Sequence, residues 1–219
     1  MNPAPPVMQI VEDMVKDPLS ADAGHPDPAL GRAFYQRPTS EVALDLLGKV
    51  LVRESAEGKV AVRLTEVEAY LGPTDPACHT FGGRRTPRVE SMWAQAGCAY
   101  VYLIYGMHHC LNVVTVGDGA GEAVLLRAGV VVSGGPLIRQ RRGPRPSDRN
   151  LVNGPAKLCQ ALLVDRSMDG CDLCSTESGL WIGDDGYVVP VDRISKSPRI
   201  GLGDVGDAAK WPLSYRYQE

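Results

Sequence analysis

The sequence has no long apolar run. Its longest, such as Ala123 to Val132, fall far short of the roughly 18 residues of a membrane-spanning helix and are broken by Arg127. No charged-then-apolar leader opens the chain, so the expectation is a soluble protein of a reducing compartment, not secreted: cytoplasmic or nucleoid-associated in a bacterium, nuclear in a eukaryote. Six cysteines in 219 residues without such a leader are expected to be thiols. Metal-ligand patterns are scarce. Cys171 and Cys174 form a CxxC, but there is no second one and no histidine follows Cys174, so no zinc site is expected. His108, His109 and Cys110 are adjacent, and neighbours along a strand point to opposite faces, which makes a shared metal awkward. There is no internal repeat or low-complexity block. An excess of positive charge is also missing, and a formal net charge of −3 argues at first against a nucleic-acid partner.

That charge is unevenly spread. Residues 1–30 hold Glu12, Asp13, Asp17, Asp22 and Asp27 against Lys16, a balance of −4, which leaves +1 for residues 31–219. The first 30 residues, with six prolines, read as an acidic arm in which MQIVEDMVK has the length of two helical turns. With 44% hydrophobic residues, the rest reads as one compact domain. Its arginines cluster: Arg84, Arg85 and Arg88 in one stretch, Arg139, Arg141, Arg142, Arg145 and Arg149 in another. A solvated loop and a phosphate-binding surface both fit such runs.

From Gly31 the pattern is globular. TSEVALDLLGKVLVR reads as a helix capped by Thr39 or Ser40 that turns at Gly48 into a strand. Strands are expected near 59–70, 98–105, 109–116 and 123–132, helices at 135–143 and 154–164, and two or three late strands within 180–200 and 212–217. This is an α+β domain with a curved, mostly antiparallel sheet surrounded by helices and a protruding hairpin.

Two stretches carry chemistry. In EVEAYLGPTDPACHT, strict alternation puts Glu66, Glu68 and Tyr70 on the face of Val62 and Leu64, opposite Arg63, Thr65, Val67 and Ala69. A face that begins apolar and ends acidic runs from a core into a cleft, and the following turn residues bring His79 back beside it. YVYLIYGMHHCLNVV reads as two strands joined near Gly106, with Tyr105 at the tip. A large aromatic there is costly to expose unless something receives it, and a stack of bases is one receptor that fits. A carboxylate, aromatic rings, an exposed wedge and clustered arginines together suit an enzyme that extrudes a base and directs water at its sugar carbon.

TEVEAYLGPTDPACHTFGGRRTPR, YVYLIYGMHHCLNVV, GDGAGEAVLLRA and NGPAKLCQAL, in that order, closely resemble the alkyladenine (3-methyladenine) DNA glycosylase family, the type found in mammals and many bacteria and distinct from the helix-hairpin-helix glycosylases. The resemblance runs from about Arg32 to Tyr217. It implies a monofunctional enzyme, without metal or cofactor, that flips alkylated, ethenylated or deaminated purines out of double-stranded DNA and hydrolyses the glycosidic bond to leave an abasic site. It implies no membrane partner, and a monomer is expected. By position in the motifs, Glu68 is similar to the general base and Arg127 to its partner in placing the water, with the His79 main-chain carbonyl completing the water site. Tyr70, His79 and Tyr102 correspond to the residues that enclose the flipped base. Asn112 corresponds to the side chain that crowds the 2-amino group of guanine, and Tyr105 to the intercalating tyrosine. Arg84, Arg85, Arg88, Arg141, Arg142 and Arg145 are expected along the DNA backbone.

Other readings stand beside these. Glu66 shares the strand with Glu68 and suits a paired-carboxylate sugar hydrolase, although the family motif gives it no such role. Asn112 equally suits backbone groups of its strand, and Tyr100 suits core packing. A lesion-binding protein without turnover is the alternative function. The chain departs from the family in a slightly longer VVTVGDGAGEAV loop, in His108 after the wedge, and in ending at YRYQE.

Overall fold

The computed structural model describes residues 28–218. The MQIVEDMVK segment and nearly all of the expected acidic arm lie outside these residues. Two short helices, α1 (Arg32–Tyr35) and α2 (Thr39–Leu46), lead into β1 (Val50–Ser55) and the long β2 (Gly58–Tyr70). A turn-rich excursion follows, then β3 (Ala99–Ile104), β4 (His108–Val114) and β5 (Ala123–Ser133), helices α3 (Gly135–Arg142) and α4 (Pro155–Leu162), and β6 (Leu180–Gly183), β7 (Ile194–Ser197) and β8 (Ser214–Tyr217). All strand pairs are antiparallel, in the order β3-β4-β5-β2-β1-β6, with β8 joining β2 beyond the end of β1 and carrying β7 on its outer side. The molecule is a single α+β domain with a curled sheet. Upstream of β1, Ala29 and Leu30 pair with the β6 edge at Gly183 and Ile182.

One face of the sheet meets the helices. Val60, Val62, Leu64, Val67 and Ala69 of β2 pack there with Val42, Ala43 and Leu46 of α2 and Leu158, Ala161 and Leu162 of α4. These five β2 positions are not in strict alternation, and this corrects the expected face assignment. Leu64 faces Gly129 and Glu66 faces Ala128, so Thr65 is an extra residue on β2. Val67 then faces Leu126, so Arg127 is an extra residue on β5. The extra Thr65 switches the faces of β2, which turns Glu66, Glu68 and Tyr70 away from Val62 and Leu64. Gly129 lets the strands close at this point, since a β-carbon there would lie 2.3 Å from the Arg63 carbonyl.

Helix α2 differs from expectation in its cap. Pro38 occupies the N-cap and no side chain caps the helix. The Thr39 hydroxyl instead bonds Thr115 (2.7 Å) and Glu122 (2.5 Å), tying the helix to the loop before β5. All six cysteines are free thiols. Among the described residues no helix is long and apolar enough to cross a membrane, and no three His, Cys, Asp or Glu side chains gather to hold a metal ion.

Candidate active site

The other face of the sheet floors a cleft of about 500 Å³. After the bulges, β2 presents Tyr70, β5 presents Arg127 and Leu125, β4 presents Cys110 and Asn112, and β3 presents Tyr100 and Tyr102. The cross-strand pairs Glu68–Leu125, Asn112–Leu125, Tyr100–Asn112 and Tyr102–Cys110 keep these residues in line. His79, Arg84 and Arg88 enter from the excursion after β2, Tyr105 from the hairpin tip, and Ile200 to Gly203 from the loop after β7.

Glu68 lies beneath this lining with no exposed surface. Its Oε1 accepts the Ile200 N–H (2.8 Å) and lies 3.3 Å from Nη1 of Arg127, while Oε2 accepts the Tyr70 hydroxyl (2.9 Å). Burial raises the carboxyl above its ordinary pKa, against the opposing pull of Arg127, the Ile200 N–H and the Tyr70 hydroxyl. Each carboxylate oxygen has two acceptor directions, so Oε2 keeps one for a further donor. Glu66 is placed differently. It accepts Nε of Arg127 (3.0 Å) and Nη2 of Arg216 (2.8 Å) and does not line the cleft. Arg127 thus bridges both glutamates, with its bulge aiming it between them.

The walls are aromatic. His79 stands edge-on to Tyr102 (4.7 Å between centroids), and Tyr102 stacks on Tyr100 (5.3 Å). Nδ1 of His79 lies 2.8 Å from the Tyr100 hydroxyl. Burial, reinforced by Arg88 and Arg84, pushes the imidazole pKa down to about 4, so it is neutral at pH 7. Burial also raises the Tyr70, Tyr100 and Tyr102 phenols well above their usual range, so all keep their protons. Asn112 donates Nδ2–H to the Tyr100 carbonyl (3.0 Å) and is among the residues lining the cleft.

At the rim, Tyr105 is 80% exposed with φ 53°, followed by Gly106 at φ 70°, and Met107 N–H closes the turn on Ile104 (3.2 Å). This matches the type I′ pattern, whose two positive-φ positions favour Asn, Asp or Gly over tyrosine. Arg84, Arg85 and Arg88 are exposed; Arg84 and Arg88 line the cleft, and Arg85 pairs with Glu90. Arg145 is exposed and does not line the cleft. Arg141 and Arg142, also expected along the DNA backbone, have partners within the fold. Arg141 binds Glu57 (3.0 Å) and the Ala161 carbonyl (2.9 Å), and Arg142 donates to the Leu151 carbonyl (2.9 Å) and to Gln160. Arg141 joins α3 to α4 and to the β1–β2 turn, and Arg142 joins α3 to α4 and to Leu151.

Residues 33–219 match the family described as Methylpurine-DNA glycosylase (MPG). The chain belongs to the methylpurine-DNA glycosylase family. Relatives named "Putative 3-methyladenine DNA glycosylase" occur in Streptomyces avermitilis, at 46% identity over 83% of this chain and 85% of the relative, and in Methanocella arvoryzae, at 46% over 86% and 92%. A third, with the same name, in Desulfitobacterium hafniense is 40% identical over 87% of this chain and 95% of its own length. This membership makes the protein a DNA glycosylase of base-excision repair acting on DNA, and the cleft is where the geometry gathers the corresponding motif residues.

The structure adds Asp75, Arg199 and Ile200, which no sequence pattern singles out. Asp75 lies in the TDPACHT turn, and SPRIGL has neither periodicity nor a paired charge nearby in sequence. Only the fold brings them together.

Proposed function

We propose that this glycosylase flips damaged purines (alkylated, ethenylated or deaminated) out of the duplex into the cleft and hydrolyses the N-glycosidic bond with one water, leaving an abasic site without strand cleavage. The observation that carries the proposal is the fully buried Glu68 held by Arg127, Tyr70 and Ile200 under a floor of aromatic rings. A carboxylate so confined has a raised proton affinity and one acceptor direction left for the water it deprotonates. Arg127 stabilises the anion and orients the same water.

The base rests between Tyr70, His79 and Tyr102. In this reading the Tyr100 phenol, 2.8 Å from Nδ1, is assigned as the donor, which puts the single proton of neutral His79 on Nε2, a donor for the acceptor at a purine's 6-position. The Asn112 amide, fixed by the Tyr100 carbonyl, crowds the purine's 2-position and selects against guanine. Alkylation at a ring nitrogen makes the purine cationic and a ready leaving group, so cationic substrates need little acid assistance. Tyr105 fills the vacated stack. Its positive φ is a local backbone cost that glycine would avoid, which suits a side chain retained for contact rather than for folding. The protein acts as a monomer and needs no cofactor.

The test is a panel of duplex oligonucleotides carrying hypoxanthine, ethenoadenine or 3-methyladenine. Incubation is expected to render them alkali-labile but intact without alkali. Binding without alkali-labile sites would mean a lesion-binding protein, and strand breaks without alkali would contradict the monofunctional mechanism.

A further inference from the structure

Asp75 and Arg199 form an ion pair with neither side chain exposed. The guanidinium engages both carboxylate oxygens, with Nη2 to Oδ1 at 2.8 Å, and Nη1 also donates to the Ala69 carbonyl (3.0 Å), between Glu68 and Tyr70 in sequence. Its carbon lies 4.7 Å from the Tyr70 ring centre, yet Arg199 does not line the cleft, so it backs the ring from behind. The next residue, Ile200, gives its N–H to Glu68. Residues 198–205 have no helix or strand of their own. Burial opposes the Asp75 charge, but the Arg199 hydrogen bonds and the Leu71 and Ala77 N–H groups outweigh it and lower the carboxyl's pKa. Buried ion pairs add little net stability over a well-packed apolar pair, because desolvation offsets their attraction. What this pair supplies is direction: one guanidinium ties the turn after β2, the end of β2 and the 198–203 loop into one geometry.

We infer that Asp75–Arg199 is a positioning pair for the reaction, holding the 198–203 loop so that the Ile200 N–H meets Glu68 and the Tyr70 ring stays braced. This rests on the reading of Glu68 as the base. The groups facing Glu68 are Glu66 and Tyr70 from β2, Arg127 from β5, Cys110 from β4, and Arg199 with the Ile200 N–H from the loop. The Ile200 N–H and the Arg199 charge both favour the carboxylate, so losing them raises the carboxyl's pKa. Excision needs the carboxylate, and its acid limb therefore moves to higher pH.

The test compares the full chain with Arg199→Lys and with Asp75→Asn/Arg199→Gln, which removes both charges and leaves neither buried alone. Single-turnover excision of a hypoxanthine duplex is followed against pH. The Glu68 carboxyl is titrated by carbon-13 NMR, its resonance assigned by its absence in Glu68→Gln. The neutral pair is expected to melt cooperatively, to lose about tenfold to a hundredfold in rate on the acid side, and to change lesion affinity far less. Its acid limb and NMR midpoint are expected to move up by about one pH unit, the scale of one hydrogen bond. Lysine, which keeps the charge without the fork, should restore part of both. Folded variants with unchanged midpoints and profiles, or failure of both variants to fold, would overturn the inference and leave the pair a purely structural element. A wild-type chain without excision would refute the glycosylase mechanism instead, while the NMR midpoint would still report on the positioning.

Discussion

At the residue scale, the cleft separates two glutamates that alternate along one strand. Glu66 is neutralised by Arg127 and Arg216, whereas Glu68 is enclosed under the cleft floor. Tyr70 has two roles that one substitution separates: its ring walls the cleft, and its hydroxyl donates to Glu68. Tyr70→Phe should keep lesion affinity within a few-fold, because the ring remains. Its acid limb for excision should rise, because one donor that lowers the Glu68 pKa is gone. A pH–rate profile with an unmoved acid limb would deny that the hydroxyl tunes the carboxylate. His79 gives a second pH signature. Its folded value of about 4 lies below its ordinary 6.5, so within that window the unfolded chain binds the proton more tightly. His79 therefore contributes stability that is complete above about pH 6.5 and lost as pH falls towards 4. Urea unfolding inside and above this window should show a shallower acid loss in His79→Gln than in wild type.

At the element scale, the bulged β2–β5 pair and the β3–β4 hairpin set the site. The positive-φ tyrosine at the hairpin tip allows a test of its proposed wedge role. Tyr105→Gly should relieve the left-handed cost and stabilise the domain by about 0.5–1 kcal/mol. It should also weaken lesion binding by roughly tenfold to a hundredfold, because the vacated stack is unfilled. Thermal melts and lesion affinity measured on one preparation check both, and unchanged affinity would remove Tyr105 from the wedge role. The positions of these elements are legible in the sequence: β2, the hairpin, β5, α3 and α4 fall within a few residues of where periodicity and turn residues put them. The faces are less so. Alternation alone leaves Glu68 on the side of Leu64, because the extra residue Thr65 is visible only once β2 and β5 are paired. The cap of α2 escapes local sequence for a similar reason, since Thr39 spends its hydroxyl on Thr115 and Glu122 across the fold. Arg199 and Asp75 are 124 residues apart in sequence, and neither carries a local signal of the other.

At the scale of the whole molecule, the net charge of −3 misleads about the partner. Arg84 and Arg88 line the mouth of the cleft, while Arg141 and Arg142 bond the carbonyls of Ala161 and Leu151. Affinity for duplex should therefore fall steeply with salt, and Arg84→Ala/Arg88→Ala should flatten the log–log slope by about two, near one for each phosphate no longer neutralised. Replacing Arg141 should lower the melting temperature without changing that slope. In the proposed function one buried carboxylate, Glu68, converts a lesion-binding cleft into a hydrolase. Its most direct test is single-turnover excision of a hypoxanthine duplex by wild type, Glu68→Gln and Glu66→Gln, with lesion affinity measured for each. Glu68→Gln should bind the lesion as wild type does and lose excision by about 10²-fold or more, while Glu66→Gln loses far less. Equal losses in the two variants, or full excision by Glu68→Gln, would remove Glu68 from the role of general base.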